Sequence, residues 1–110
     1  MKVPGAEGAY IDLAKLRDYC LCANHAEGKH KARVFRSALG LEAEDSEWLR
    51  DQLLIAVARE DCWAGPTTGF GHRFVLDSTI CKHGREAKVR SAWIIRAGED
   101  FPRLVSCYVL

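Results

Sequence analysis

The sequence predicts an α+β domain, with three N-terminal helices packed on a C-terminal antiparallel sheet of three to four strands. Three observations lead there. Apolar residues recur at helical spacing as far as about Glu60 and then alternate with a period of two. The connections between the candidate strands are short, which suits hairpins and not parallel crossovers. A chain of 110 residues, 48% hydrophobic and 28% charged, has the size and makeup of one globular core. Residues 1–110 therefore read as a single domain, with no internal repeat and no linker.

The first helix follows Asp12, a candidate N-cap, and places Leu13, Leu16 and Cys20 at helical spacing before fraying near Cys22-Ala23-Asn24. The second runs from about Lys29 to Leu39, with Ala32, Phe35 and Leu39 on one stripe. Gly40 follows as its stop, expected at positive φ. The third is the clearest. Asp45 or Ser46 caps it, Glu47 suits the positive end of the helix dipole, and Leu49, Leu53, Ala56 and Val57 form its inner face. It ends near Glu60.

Gly65-Pro66-Thr67-Thr68-Gly69 then reads as a loop, Gly71 to Thr79 as a strand, and His83-Gly84-Arg85 as a turn. From Ala87 the alternation puts Ala87, Val89, Ser91, Trp93 and Ile95 on one face. Lys88, Arg90, Ala92, Ile94 and Arg96 fall on the other. Gly98-Glu99-Asp100 turns the chain, Pro102 opens the next segment, and Leu104 to Leu110 forms a terminal strand. If that strand is a sheet edge, it invites a homodimer by edge pairing.

Lys plus Arg is 16 against 15 for Asp plus Glu, a net charge of +1 that by itself argues neither for nor against nucleic acid. No apolar run approaches the ~20 residues that span a bilayer. Met1-Lys2-Val3-Pro4-Gly5 leads into polar sequence, so the expectation is a cytoplasmic protein without a membrane partner. The five cysteines then lie in a reducing compartment, where free thiols behave as small apolar residues. Cys20, Cys22 and His25 offer three zinc ligands, but the single-residue gap between the cysteines fits a zinc knuckle poorly. Neither metal nor cofactor is expected, with a zinc-bound regulator as the alternative.

Charge is unevenly spread. Residues 42 to 61 carry seven acids against two arginines, whereas Lys29, Lys31, Arg33 and Arg36 stand together without an acid. A further basic group is Lys82, Arg85, Lys88, Arg90 and Arg96. If helix two lies beside the strand starting at Ala87, a nearly neutral chain still presents a basic face; otherwise these are ordinary solvated surfaces.

The densest polar chemistry is Asn24-His25-Ala26-Glu27-Gly28-Lys29-His30-Lys31, where a loop enters a helix. Cleaving RNA without a metal needs a base for the 2′-hydroxyl, an acid for the leaving oxygen and cations for the phosphorane charge. His25 and His30 are the candidate acid–base pair, and Lys29, Lys31 and Arg90 the candidate phosphate binders. Ser106 and Tyr108, on one face of the last strand, are candidates for orienting the substrate. The competing account is an exposed capping turn followed by an ordinary half-buried strand. Trp48, Trp63 and Trp93 either stack bases or belong to the core. No Gly-rich phosphate loop, serine nucleophile elbow or paired-His metalloprotease motif is present.

Several strings resemble an uncharacterised bacterial domain family. They are Lys15-Leu16-Arg17-Asp18-Tyr19, Asn24-His25-x-x-Gly28-Lys29-His30-Lys31-Ala32-x-x-Phe35 and Leu39-Gly40-Leu41, then Val89-Arg90-Ser91-Ala92-Trp93 and Asp100-Phe101-Pro102-Arg103-Leu104-Val105-Ser106. Members occur as small stand-alone proteins and at the ends of adhesin-like and phage-associated proteins. They tend to carry Pro where this chain has Ala26, and Leu-Asn-Pro where it has Cys22-Ala23-Asn24. The resemblance implies no settled activity. A more distant similarity is to small toxin ribonucleases built as helices followed by a four-stranded antiparallel sheet, and it implies fold only.

Two functional expectations follow. One is a metal-independent endoribonuclease-like or nucleic-acid-binding domain whose partner is RNA or another anionic ligand. The other is a non-catalytic binding or assembly module carried on mobile bacterial DNA. The first needs the turn at His25 and the strand face bearing Arg90 to share a cleft.

Overall fold

The computed structural model describes residues 1–110. Helix α1 (Leu13–Lys15) opens on Asp12, whose carboxylate accepts a hydrogen bond from the Ala14 N–H at 3.0 Å. It widens directly into a π-helical segment, Leu16–Cys20, closed by a Leu21 N–H to Leu16 carbonyl bond of 2.8 Å. Leu16 and Cys20 both lie fully in the core. Helix α2 (Lys29–Leu39) stops at Gly40, whose φ of 69° is the left-handed conformation expected there.

Helix α3 (Ser46–Arg59) is preceded by a 3₁₀ turn, Ala43–Asp45, and this changes the capping. The Asp45 carboxylate does not cap α3. It reaches back to the Glu42 N–H at 2.9 Å, completing a capping box for the turn. The inner face of α3 is as the spacing predicts: Leu49, Leu53, Ala56 and Val57 are buried.

Four strands follow as an antiparallel meander in the order β1 (Cys62–Thr68), β2 (Gly71–Lys82), β3 (Arg85–Arg96), β4 (Arg103–Val109). Most of the expected loop at Gly65–Gly69 is strand. A register shift between Ala64 and Thr67 absorbs Gly65 and Pro66 as a bulge opposite Arg73. An edge strand tolerates the N–H that Pro66 lacks. Strand β2 also continues to Lys82, so the β2–β3 hairpin turns at His83–Gly84.

The sheet has two unlike faces. Helices cover the inner one, where Phe74, Leu76, Val89, Trp93, Leu104 and Cys107 join the helix residues in one core. Trp93 is fully buried and satisfies its indole N–H on Ser91 Oγ at 2.9 Å. No helix covers the outer face. There the register aligns Trp63, Val75, Ala92 and Ser106 in one row, Asp77, Arg90 and Tyr108 in a second, and Arg73, Ile94 and Arg103 in a third. A second register shift, at Val105, lets Leu104 and Cys107 point inward while Ser106 and Tyr108 stay on the outer side. At the start of β4 the free edge is taken by Tyr10, bonded to Pro102 and Leu104. No helix is long and apolar enough to cross a membrane.

Candidate functional site at the β4 edge

Helix α2 packs beside β4, and Lys31 reaches over that edge. Its Nζ donates to Ser106 Oγ at 2.9 Å and to Tyr19 Oη at 3.2 Å. It also stands 4.9 Å from the Tyr19 ring centroid and 5.9 Å from that of Tyr108. Lys31 is half-buried, yet no carboxylate lies within ion-pair distance of it. An ammonium carries three donors, and two are spent on neutral hydroxyls. Lys31, Lys15, Tyr19, Glu27, Val105 and Ser106 line an open cavity of about 450 Å³.

The turn before α2 sets this geometry. A Cβ on Gly28 would stand 2.2 Å from the Tyr19 carbonyl oxygen, so only glycine lets the start of α2 seat against the π segment. His25 ties the same turn: its Nδ1 accepts from the N–H groups of Glu27 at 3.0 Å and Gly28 at 2.9 Å. With Nδ1 an acceptor, the neutral ring carries its proton on Nε2. The ring sits edge-on to Tyr19, with centroids 4.8 Å apart.

The remaining predicted residues divide. His30 is exposed, its ring makes no hydrogen bond, and it lines a shallow groove with Lys31, Val34, Tyr108 and Val109. Tyr108 is the cross-strand neighbour of Arg90. Arg90 is itself engaged: its guanidinium forms a two-pronged pair with Asp77 at 2.8 and 3.0 Å and lies over the Trp63 ring. That hydrogen bonding holds the Asp77 carboxyl below the usual carboxylate range and raises the Arg90 guanidinium further. Lys29 faces another way, into a groove of about 490 Å³ with Arg33 and Arg36. The structure thus brings Lys31, Ser106, Tyr108 and His30 together, with His25 reaching them through Tyr19. It leaves Lys29 outside, and no cavity is lined by both His25 and Arg90, so the shared cleft that the endoribonuclease expectation required is not formed.

Beneath this site two buried thiols meet. A hydrogen bond from Cys107, aided by the Lys31 charge, draws the Cys20 thiol below its ordinary value despite burial. Donation to Cys20 and burial push the Cys107 thiol well up. Cys22 opens instead toward the Lys29 groove, and His25 packs on Tyr19, so the three candidate zinc ligands diverge. No group of three His, Cys, Asp or Glu side chains is placed to hold a metal ion.

Tyr19, Lys15 and Glu27 escape a reading of spacing. The Lys31 contacts span 12 and 75 residues, and no local pattern announces them. Gly28 is the one signal, a glycine just before a helix where a better helix former would serve.

Fold and site together define an α+β domain: a four-stranded meander backed by helices, with a cation held by hydroxyl groups at one sheet edge. Within that class, the chain belongs to the family described as Domain of unknown function (DUF6883), whose model matches residues 2–110. No curated protein and no solved structure matches it.

Proposed function

We propose that this domain binds the phosphate backbone of RNA at the β4 edge, with Lys31 as the central cation. One observation carries the reading: Lys31 is half-buried among hydroxyls and rings with no carboxylate within ion-pair distance, although the exposed Glu27 lies on the same cavity wall. Such a cation is left for an anion from outside the fold, and the free donor of Lys31, with Lys15 on the same cavity wall, suits a phosphate oxygen. Ser106 and Tyr108 orient the strand at the rim.

Cleavage is the second reading; without a cleft shared by His25 and Arg90 it rests on His30, which lines a groove with Lys31 and Tyr108. The 2′-hydroxyl oxygen attacks the adjacent phosphorus and the bond to the 5′ oxygen breaks, leaving a 2′,3′-cyclic phosphate and a 5′-hydroxyl. His30, with both ring nitrogens free, takes the 2′ proton. His30, made an imidazolium by that step, then returns the proton to the leaving 5′ oxygen. Lys31 faces the charge that builds on the phosphorane.

The test is affinity for a single-stranded oligoribonucleotide at two salt concentrations, followed by cleavage in the presence of a chelator. Lys31→Met is expected to lower affinity about tenfold, equivalent to ~1.4 kcal/mol, and to flatten the salt slope by ~0.7. His30→Ala is expected to spare binding and to slow cleavage by ~10²–10⁴. No binding by the unaltered protein at low salt overturns the reading in favour of an assembly module.

A further inference from the structure

A second cavity lies on the outer sheet face, about 260 Å³ in volume, and shares Lys15 and Val105 with the Lys31 cavity as a common wall. Its floor is Ile94. Arg73 and Arg103 are the direct cross-strand neighbours of Ile94 on either side, and Arg96 follows two residues along the same strand on the same face. Three guanidinium groups and the Lys15 ammonium therefore line one cavity, against a single carboxylate, Asp12, already engaged in capping α1.

The three arginines are not equivalent. Arg103 is fixed, with two bonds of 2.9 and 2.7 Å to Glu99, and its guanidinium lies over both Tyr10 and Phe101. It serves as a rigid wall whose charge is spent. Arg73 and Arg96 have no carboxylate within ion-pair distance, although the Arg96 charge acts on Glu99 from further off. Like charges brought together on a sheet face cost stability unless an anion lies between them. Planar guanidinium groups in such numbers favour a phosphate, which accepts paired N–H donors.

We infer that Arg73, Arg96 and Lys15 form a second phosphate site, which takes the backbone of an RNA strand as it leaves the Lys31 cavity and turns onto the open sheet face. This rests on the RNA reading above and extends it. The substrate class it names is a single strand long enough to bridge both cavities, because Lys15 and Val105 line both.

Two ligands and one double variant test this. The ligands are a labelled single-stranded oligoribonucleotide of about 12 nucleotides and a dinucleotide that fills only one cavity. The R73Q/R96Q protein is expected to bind the longer strand about tenfold more weakly, with a salt slope lower by roughly 0.7, the value for one phosphate contact on a single strand. Its dinucleotide affinity is expected to stay unchanged, whereas Lys31→Met binds both ligands about tenfold more weakly. Equal affinity and equal slope for the longer strand in R73Q/R96Q and unaltered protein overturn the second site and leave the Lys31 reading intact. If the unaltered protein binds neither ligand, the RNA reading fails and the strand path with it. Inorganic phosphate titrated against the Arg73 and Arg96 Nε–H resonances then decides whether the cavity takes an anion at all. Resonances that shift together keep it as a phosphate site, and resonances that stay still overturn it.

Discussion

Two lysines, one on α2 beside β4 and one at the end of β2, have similar surroundings and opposite electrostatics. Lys82, at the end of β2, lies 5.2 Å from the Trp48 ring centroid and donates to Asp45 at 3.0 Å, with its side chain 16% exposed. Lys31 is likewise half-buried beside aromatic rings, but its partners are the neutral hydroxyls of Tyr19 and Ser106. The Lys82 charge is closed within the fold: the same Asp45 carboxylate caps the turn before α3, so the pair ties sheet to helix. The Lys31 charge is left open. A half-buried cation with its counter-ion built in is a structural joint, and one without is arranged for a ligand.

The largest expected effect lies in the core that both regions share. Leu53 is fully buried on α3, and Leu53→Ala is expected to cost about 2–5 kcal/mol of stability in a denaturant titration. A loss under about 1 kcal/mol would mean that α3 does not anchor the Lys82 side as described.

Next comes the contrast between the lysines themselves. Lys82→Met strands the Asp45 carboxylate and is expected to destabilise by about 1–3 kcal/mol. Lys31→Met removes a cation that neutralises nothing, so its stability is expected to change by under about 0.5 kcal/mol. Equal losses in the two variants would make Lys31 a structural joint as well and remove the basis of the proposed site.

His25→Ala is expected to cost about 1 kcal/mol, since it frees the Glu27 and Gly28 N–H groups at the start of the turn. His30→Ala, whose ring bonds to nothing, is expected to leave the melting temperature unchanged. A fall in melting temperature for His30→Ala as large as for His25→Ala would show that His30, too, holds the turn.

The smallest effect is in acid. The Glu42 N–H, with Lys82, holds the folded Asp45 carboxyl below its ordinary value of ~3.9. A depressed folded value stabilises at pH above the unfolded one, and that gain is lost as pH falls through the folded value. Asp45→Asn is therefore expected to flatten the decline of stability below about pH 4. Lys31→Met, with no carboxylate partner, is expected to leave that limb as it was. An acid limb unaltered by Asp45→Asn would put the linkage elsewhere, with Asp77 and its Arg90 pair the next group to vary.

Periodicity alone determined the α+β order, the stripe of Ala32, Phe35 and Leu39, the inner face of α3, the stop at Gly40 and the alternation from Val89 to Ile95. Each is a local property, because a helix repeats every 3.6 residues and a strand every two, and because Gly40 takes its left-handed turn whatever packs nearby. The start of α3 and the extent of β1 were less legible. In the first a capping box displaced Asp45 from the expected role, and in the second a bulge hid a strand behind Gly65 and Pro66. The basic turn could be seen in the sequence, but the division of labour within it could not. Nothing local separates Lys31 from Lys29, or the bonded ring of His25 from the free ring of His30. Which residue faces Tyr19 and Ser106, and which cation finds an acid, depends on elements that meet only when α2 is laid along β4. Side-chain pairing across 75 residues is decided by packing. Tertiary structure therefore closed the charge of Lys82 and left that of Lys31 open.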